Sequence, residues 1–159
     1  MNANQPSPPI VMTIAGSDSG AGAGIQADLK TFAAHNVYGT SVLTAVTAQN
    51  TTGVIDVQEL SVTMIAHQIQ AVMDDMPVQA VKTGMLSSSA IITQVVSSLN
   101  QYGIQQLVVD PVMIAKGGDK LLRDTAIQTL KEQLLPYALV LTPNIPEAEL
   151  LTKTKISSI

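Results

Sequence analysis

Short apolar runs that stop at small or polar residues alternate with longer stretches of helical period, and this rhythm recurs along the whole chain. Residues 11–15 (VMTIA) stop at Gly16. Ile25, Leu29, Phe32 and Ala33 then follow at the spacing of one helix face. Residues 38–48 are apolar and β-branched and end at Gln49-Asn50, and residues 54–60 alternate as a strand near an edge does. Ser61 caps a run in which Val62, Ile65, Ile69, Val72, Met73 and Met76 share a helical face, and Pro77 ends it. Residues 78–81 lead to Thr83-Gly84-Met85. Residues 87–99 are helical, with Ile91, Ile92, Val95, Val96 and Leu99 inward, and Gly103 closes them. Residues 106–109 run to Asp110-Pro111, residues 121–134 are helical and precede Pro136, residues 138–141 run to Thr142-Pro143-Asn144, and residues 147–152 start another helix.

Strands alternating with helices build βαβ units. The expected fold class is therefore α/β, with a mostly parallel central sheet flanked by helices and right-handed crossovers. In such sheets ligands bind beyond the carboxyl ends of the strands. Gly16, Gln49, Thr83-Gly84-Met85, Asp110-Pro111 and Asn144 all follow strand runs, so all are expected to line one edge of the sheet.

A chain of 159 residues fits one domain. Hydrophobic residues are 46% but aromatics only 3%, so the core must be built from Val, Ile, Leu, Ala and Met, and the seven methionines read mostly as filler. A net charge of −4 argues against a nucleic-acid partner. No run of apolar residues is long enough to span a membrane. Without cysteine there is neither a disulfide nor thiolate chemistry. Residues 1–9 (MNANQPSPP) lack a charged and an apolar block, and read as a disordered leader ahead of a domain over residues 10–159. A cytoplasmic enzyme or small-molecule-binding protein is the expectation. Residues 153–159 (KTKISSI) follow the start of a helix, and no closing strand comes after them. That pattern suggests truncation on the C-terminal side, with an open sheet edge that would favour a homo-oligomer.

The loop 14-IAGSDSGAGAGIQADLKT-31 concentrates glycine and alanine between a strand and a helix. It does not fit the dinucleotide fingerprint G-x-G-x-x-G, and no G-x-x-x-x-G-K-[ST] loop occurs. It reads either as a flexible strand-to-helix turn or as a wall whose glycines admit a ligand close to the backbone. Asp28 is either an acid favoured by the helix dipole in a first turn or a carboxylate turned toward the ligand edge. Gln49 offers donors and an acceptor suited to a heteroaromatic ring, or else bonds a neighbouring loop. Asp110 suits a metal or phosphate-side carboxylate. Asn144 and Glu147, three apart, suit the same role or form an N-cap with its capping-box glutamate. Lys116-Gly117-Gly118-Asp119 reads as a mobile flap or a turn, and His35 and His67 as structural.

The run AGSDSGAGAGIQADLKTFAAHNVYGTSVLTAVTAQNT resembles the opening of the hydroxymethylpyrimidine/phosphomethylpyrimidine kinases of thiamine biosynthesis, in the ribokinase-like superfamily. The blocks 82-KTGML-86, 110-DPVMIAKGGDKLL-122 and 142-TPNIPEAELL-151 continue the resemblance in order, over about residues 11–159. DPVM and TPNxxE are shared with pyridoxal kinases, while TAVTAQNT favours the first group. The resemblance implies phosphoryl transfer from ATP, with Mg²⁺, to a hydroxymethylpyrimidine and then to its monophosphate. It implies that Gln49, Gly16, Asp28, Met85 and Val112 surround the pyrimidine. Asp110, Asn144 and Glu147 would stand on the ATP and phosphate side, with Asp110 and Glu147 toward the metal. Ala21 departs from the family, which more often has glycine there. The family's Gly-Thr-Gly-Cys anion-hole block and its catalytic base are absent from these 159 residues, so no catalytic residue is assigned. The chain is expected to be the pyrimidine-side N-terminal part of a kinase and inactive alone. A pyridoxal kinase and a non-catalytic fragment are the alternatives.

Overall fold

The computed structural model describes residues 7–113, 122 and 124–157. β1 (Ile10–Ala15) buries Met12 and Ile14 on one side and Thr13 and Ala15 on the other, as a central strand covered on both faces must. α1 (Gly24–Ala34) returns the chain to β2 (Tyr38–Leu43), which pairs with β1 in parallel from Ile10 opposite Tyr38 to Ala15 opposite Leu43. β3 (Ala45–Asn50), β4 (Gly53–Glu59) and α2 (Val62–Met73) come next. β5 (Ala80–Thr83), α3 (Ser89–Gln101), β6 (Leu107–Val109), α4 (Asp124–Thr129), β7 (Val140–Leu141) and α5 (Ile145–Thr152) follow.

The central sheet has five parallel strands in the order β2-β1-β5-β6-β7. The first crossover steps from β1 to β2, and the next steps back past β1 to β5. With right-handed crossovers, that reversal sends α1 to one face and α2, α3 and α4 to the other. The larger face holds the core. Met12, Ile14, Val42, Val81, Leu107 and Val109 from the strands meet Ile65, Ile69, Ile91, Ile92, Val95 and Leu134 from the helical segments. The reversal falls between β1 and β5, and doubly wound sheets bind ligands beyond the carboxyl ends of the strands at such a switch point.

Several boundaries differ from the reading of the sequence. The run 38–48 is two strands that break at Thr44. Thr44 is fully buried and pinned on three sides: its N–H donates to Ala15 O at 3.0 Å, its Oγ1 donates to Met85 O at 2.8 Å, and its carbonyl accepts from Leu60 N–H at 2.9 Å. β3 then leaves the central sheet and pairs with β4 as a separate antiparallel hairpin. Gln49 therefore lies on a hairpin and does not end a strand of the main sheet. β4 is exposed at every residue, so its alternation does not mark a half-buried strand.

The helix of residues 62–76 ends at Met73. The segment 121–134 is helical from Asp124, passes into a π turn over Leu130–Leu134 and closes with a 3₁₀ turn, Leu135–Tyr137, that contains Pro136. Residues 1–6 of the leader and Lys116-Gly117-Gly118-Asp119 lie outside the described residues. Pro9 is already tied in, since its carbonyl accepts from Tyr38 N–H. No helix among the described residues is long and apolar enough to cross a membrane.

Candidate ligand site at the switch point

The glycine-rich loop is not a loose turn. Asp18, only 5% exposed, accepts from the amides of Gly20 at 2.8 Å, Gly22 at 3.0 Å and Ala23 at 2.8 Å, and its own N–H donates to Gln26 Oε1 at 2.8 Å. One carboxylate thus absorbs the amides that a phosphate cradle would need free. The chain enters α1 through Gly24 at φ +58°, where a Cβ would stand 2.4 Å from Gly16 O. Only glycine fits that position. Ala21 shares the left-handed conformation at φ +58°, which glycine adopts without steric cost.

The same loop runs beside the outer edge of β3. Ser17 N–H donates to Ala45 O at 2.9 Å, and Thr47 Oγ1 donates to Ser17 O at 2.7 Å. Ser19 Oγ donates to Gln49 O and accepts from Gln49 N–H at 2.8 Å. The loop and the hairpin therefore form one wall, with Gln49 half-buried in it. Gly16 faces Met85 across the switch point, since a Cβ on Gly16 would stand 2.6 Å from Met85 Cε.

Asp28 does not serve the helix dipole. It is the fifth residue of α1, and the first turn holds no acid. Its carboxylate accepts from Thr13 Oγ1 at 2.6 Å and is gripped by Lys82 Nζ at 3.0 and 3.1 Å. Lys82 also reaches Asp110 Oδ2 at 3.5 Å, so it bridges α1 to the exit of β6. Burial pushes the Asp110 carboxyl above its ordinary value. The neighbouring charge of Lys82 opposes that shift, and Glu147 and Asp28 add to it. Lys82 was not singled out from the sequence, although a lysine inside a short buried strand is itself a signal. Asp18 was likewise passed over, although an Asp two residues before a glycine marks a side-chain-capped turn.

Asn144 and Glu147 form the capping box. Asn144 Oδ1 accepts from Glu147 N–H at 2.9 Å, and Glu147 Oε2 accepts from Asn144 N–H at 3.0 Å. A further bond goes beyond capping: Glu147 Oε1 accepts from Met113 N–H at 2.9 Å, and Glu147 is 3% exposed. The amide of Met113 follows Val112, whose φ of +38° is rare for a β-branched residue and marks a strained turn after Asp110-Pro111. Glu147 thus ties the exit of β6 to the start of α5. The structure joins Asp28, Lys82, Asp110, Glu147 and the Val112 turn into one chain of contacts, and Gly16 and Met85 into another beside it. Gln49 is connected through Ser17 and Ser19. His35 caps the end of α1 and His67 is exposed on α2.

A parallel sheet wound in both directions from β1 is a doubly wound α/β fold, and comparison with solved structures makes it that of the ribokinase-like kinases. Phosphomethylpyrimidine kinase from Clostridium difficile superposes with a TM-score of 0.89 at 54% identity, over 94% of this chain and 65% of that one. Pyridoxal kinase from Staphylococcus aureus in complex with AMP-PCP and pyridoxal superposes at 0.81 with 37% identity, over 96% of this chain and 55% of that one. The chain belongs to the phosphomethylpyrimidine kinase family, whose sequence model matches residues 18–159. Among curated proteins, the hydroxymethylpyrimidine/phosphomethylpyrimidine kinase of Bacillus subtilis is 55% identical over 148 residues, 93% of this chain. The chain spans about half the length of that relative, 55%.

Proposed function

We propose that the chain forms the pyrimidine-side wall and the metal-side carboxylates of a hydroxymethylpyrimidine/phosphomethylpyrimidine kinase, a cytoplasmic ATP-dependent enzyme of thiamine biosynthesis. The observation that carries this reading is the division of the switch point into two halves. Gly16 and Met85, with the hairpin of Gln49 bonded beside them through Ser17 and Ser19, supply a side suited to a flat heteroaromatic ring. Asp110, Glu147, Asp28 and Lys82 make a charged end with three acids against one base.

That excess of negative charge suits a divalent cation, and hard oxygen donors suit Mg²⁺. Asp110, with its side chain about a third exposed, can offer an oxygen directly. Both oxygens of Glu147 already accept amides, so it would act through water. When bound, the ion would neutralise charge on the transferring phosphoryl group. Asn144 holds Glu147 in place, and Lys82 holds Asp110. The Gly-Thr-Gly-Cys block and the base belong to none of these residues. The 159-residue polypeptide is therefore proposed to bind the pyrimidine without turning it over, and β7, the edge strand among the described residues, to favour self-association.

The test is calorimetric titration of the 159-residue chain and its Gln49→Ala variant with hydroxymethylpyrimidine and with AMP-PCP. Loss of the amide should weaken the pyrimidine about tenfold or more, since a buried polar atom is left without its partner, and should leave the nucleotide unchanged. Equal losses, or none, would refute the role given to Gln49. A second reading, pyridoxal kinase, draws on the Staphylococcus aureus structure. Pyridoxal binding more tightly than the pyrimidine in the same titration would favour it.

A further inference from the structure

Gln49 sits where its own hairpin is weakest. The β3–β4 register shifts between Ala48, opposite Asp56, and Gln49, opposite Val54. Ile55 is the extra residue and is 80% exposed. A bulge disrupts the ladder locally and adds twist, so pairing with β4 alone holds Gln49 loosely. The Gln49 N–H and C=O point away from β4, and on that side of β3 the glycine-rich loop supplies their partners. Ser17-Asp18-Ser19 alternates like a strand: both serines bond the hairpin, and Asp18 between them collects the amides of Gly20, Gly22 and Ala23. Ser19 Oγ takes both backbone polar groups of Gln49, donating to its carbonyl and accepting from its amide.

We propose that Ser19 is a positioning residue: its hydroxyl latches the hairpin to the loop and sets where the Gln49 amide is presented to the ring of a bound substrate. The functional half of this inference rests on the pyrimidine reading above. The latch itself rests only on the contacts of Ser19. It joins the hairpin, which among the described residues has no strand pairing with the central sheet, to a loop anchored on α1 through Gln26. A hydroxyl suits this task because it is donor and acceptor at once. Alanine offers neither, and threonine keeps both.

The experiment compares the 159-residue chain with Ser19→Ala and Ser19→Thr by amide hydrogen exchange and by titration with hydroxymethylpyrimidine and AMP-PCP. In Ser19→Ala, exchange at Gln49 should accelerate about three- to tenfold, the loss of one net hydrogen bond. Core amides such as Ile14 and Val42 should keep their rates, which separates a local release from general destabilisation. Pyrimidine affinity should fall by a similar factor with nucleotide affinity unchanged, and Ser19→Thr should restore both. Unchanged exchange at Gln49 would overturn the latch. Faster exchange with undiminished pyrimidine affinity would overturn the positioning role. A wild-type chain that binds no pyrimidine would refute the functional reading instead, and the exchange comparison would then decide the latch alone.

Discussion

Lys82→Met should destabilise the protein by about 2 kcal/mol at pH 7, through charge and not through packing. Lys82 stands 3.0 Å from Asp28 and 3.5 Å from Asp110, with side-chain exposures of 21%, 17% and 36% for the three residues. At 3 Å and an effective dielectric of about 20, one such pair attracts by roughly 5 kcal/mol before desolvation. Breaking a fully buried pair typically costs about 3–5 kcal/mol because a charge is left unpaired. The partial exposure of this cluster allows water to screen part of that, which brings the expectation down to about 2. Methionine keeps most of the stem's volume, so the loss isolates the charge. Thermal unfolding should show a melting temperature about 4–8 °C lower for a chain of this size.

Adding Asp28→Asn should recover about 1 kcal/mol, since the amide oxygen still accepts from Thr13 and one uncompensated charge is gone. The deficit should also narrow on acidification as the Asp110 carboxyl, raised above its ordinary value, protonates. A Lys82→Met chain within about 0.5 kcal/mol of the parent, the range of an ordinary surface change, would refute the reasoning. So would a double variant less stable than Lys82→Met alone.

Gly24→Ala should cost about 2 kcal/mol or more, because a left-handed backbone and a Cβ 2.4 Å from Gly16 O combine, and urea unfolding measures it. Asp110→Asn should be more stable than the parent at pH 7. The folded carboxyl titrates above its ordinary 3.8, so the stability from its protonated form is complete below that value and is lost as pH rises through the raised one. Melting curves from pH 3 to 7 should converge at the acid end, and a parent more stable at pH 7 would contradict this. Asn144→Ala should cost about 1 kcal/mol as a lost cap, and Glu147→Ala more, since Met113 N–H also loses its acceptor. Equal melting temperatures for the two variants would remove the third bond from the account.

The order of strands and helices was legible because period 2 and period 3.6 are local properties, readable from a window of a few residues. Caps are local too: Ser61 accepts from Met64 N–H, and Asn144 with Glu147 closes a capping box, as their spacing indicated. The collection of Gly16, Met85, Asp110 and Asn144 at strand ends followed from the parallel sheet alone. Tertiary structure decided the rest. Thr44 splits the β-branched run 38–48 because Ala15, Leu60 and Met85 seize its polar groups, and none of these is visible from the run's own periodicity. Asp28 reads as a first-turn acid until a crossover brings β5 beside α1, 54 residues along the chain, and supplies Lys82. Glu147 shows its capping bonds in the sequence and conceals its bond to Met113, 34 residues away. Local pattern settles which elements form. The charge pairs of the site exist only after the sheet reverses direction between β1 and β5, because that reversal brings residues remote in sequence within hydrogen-bonding distance.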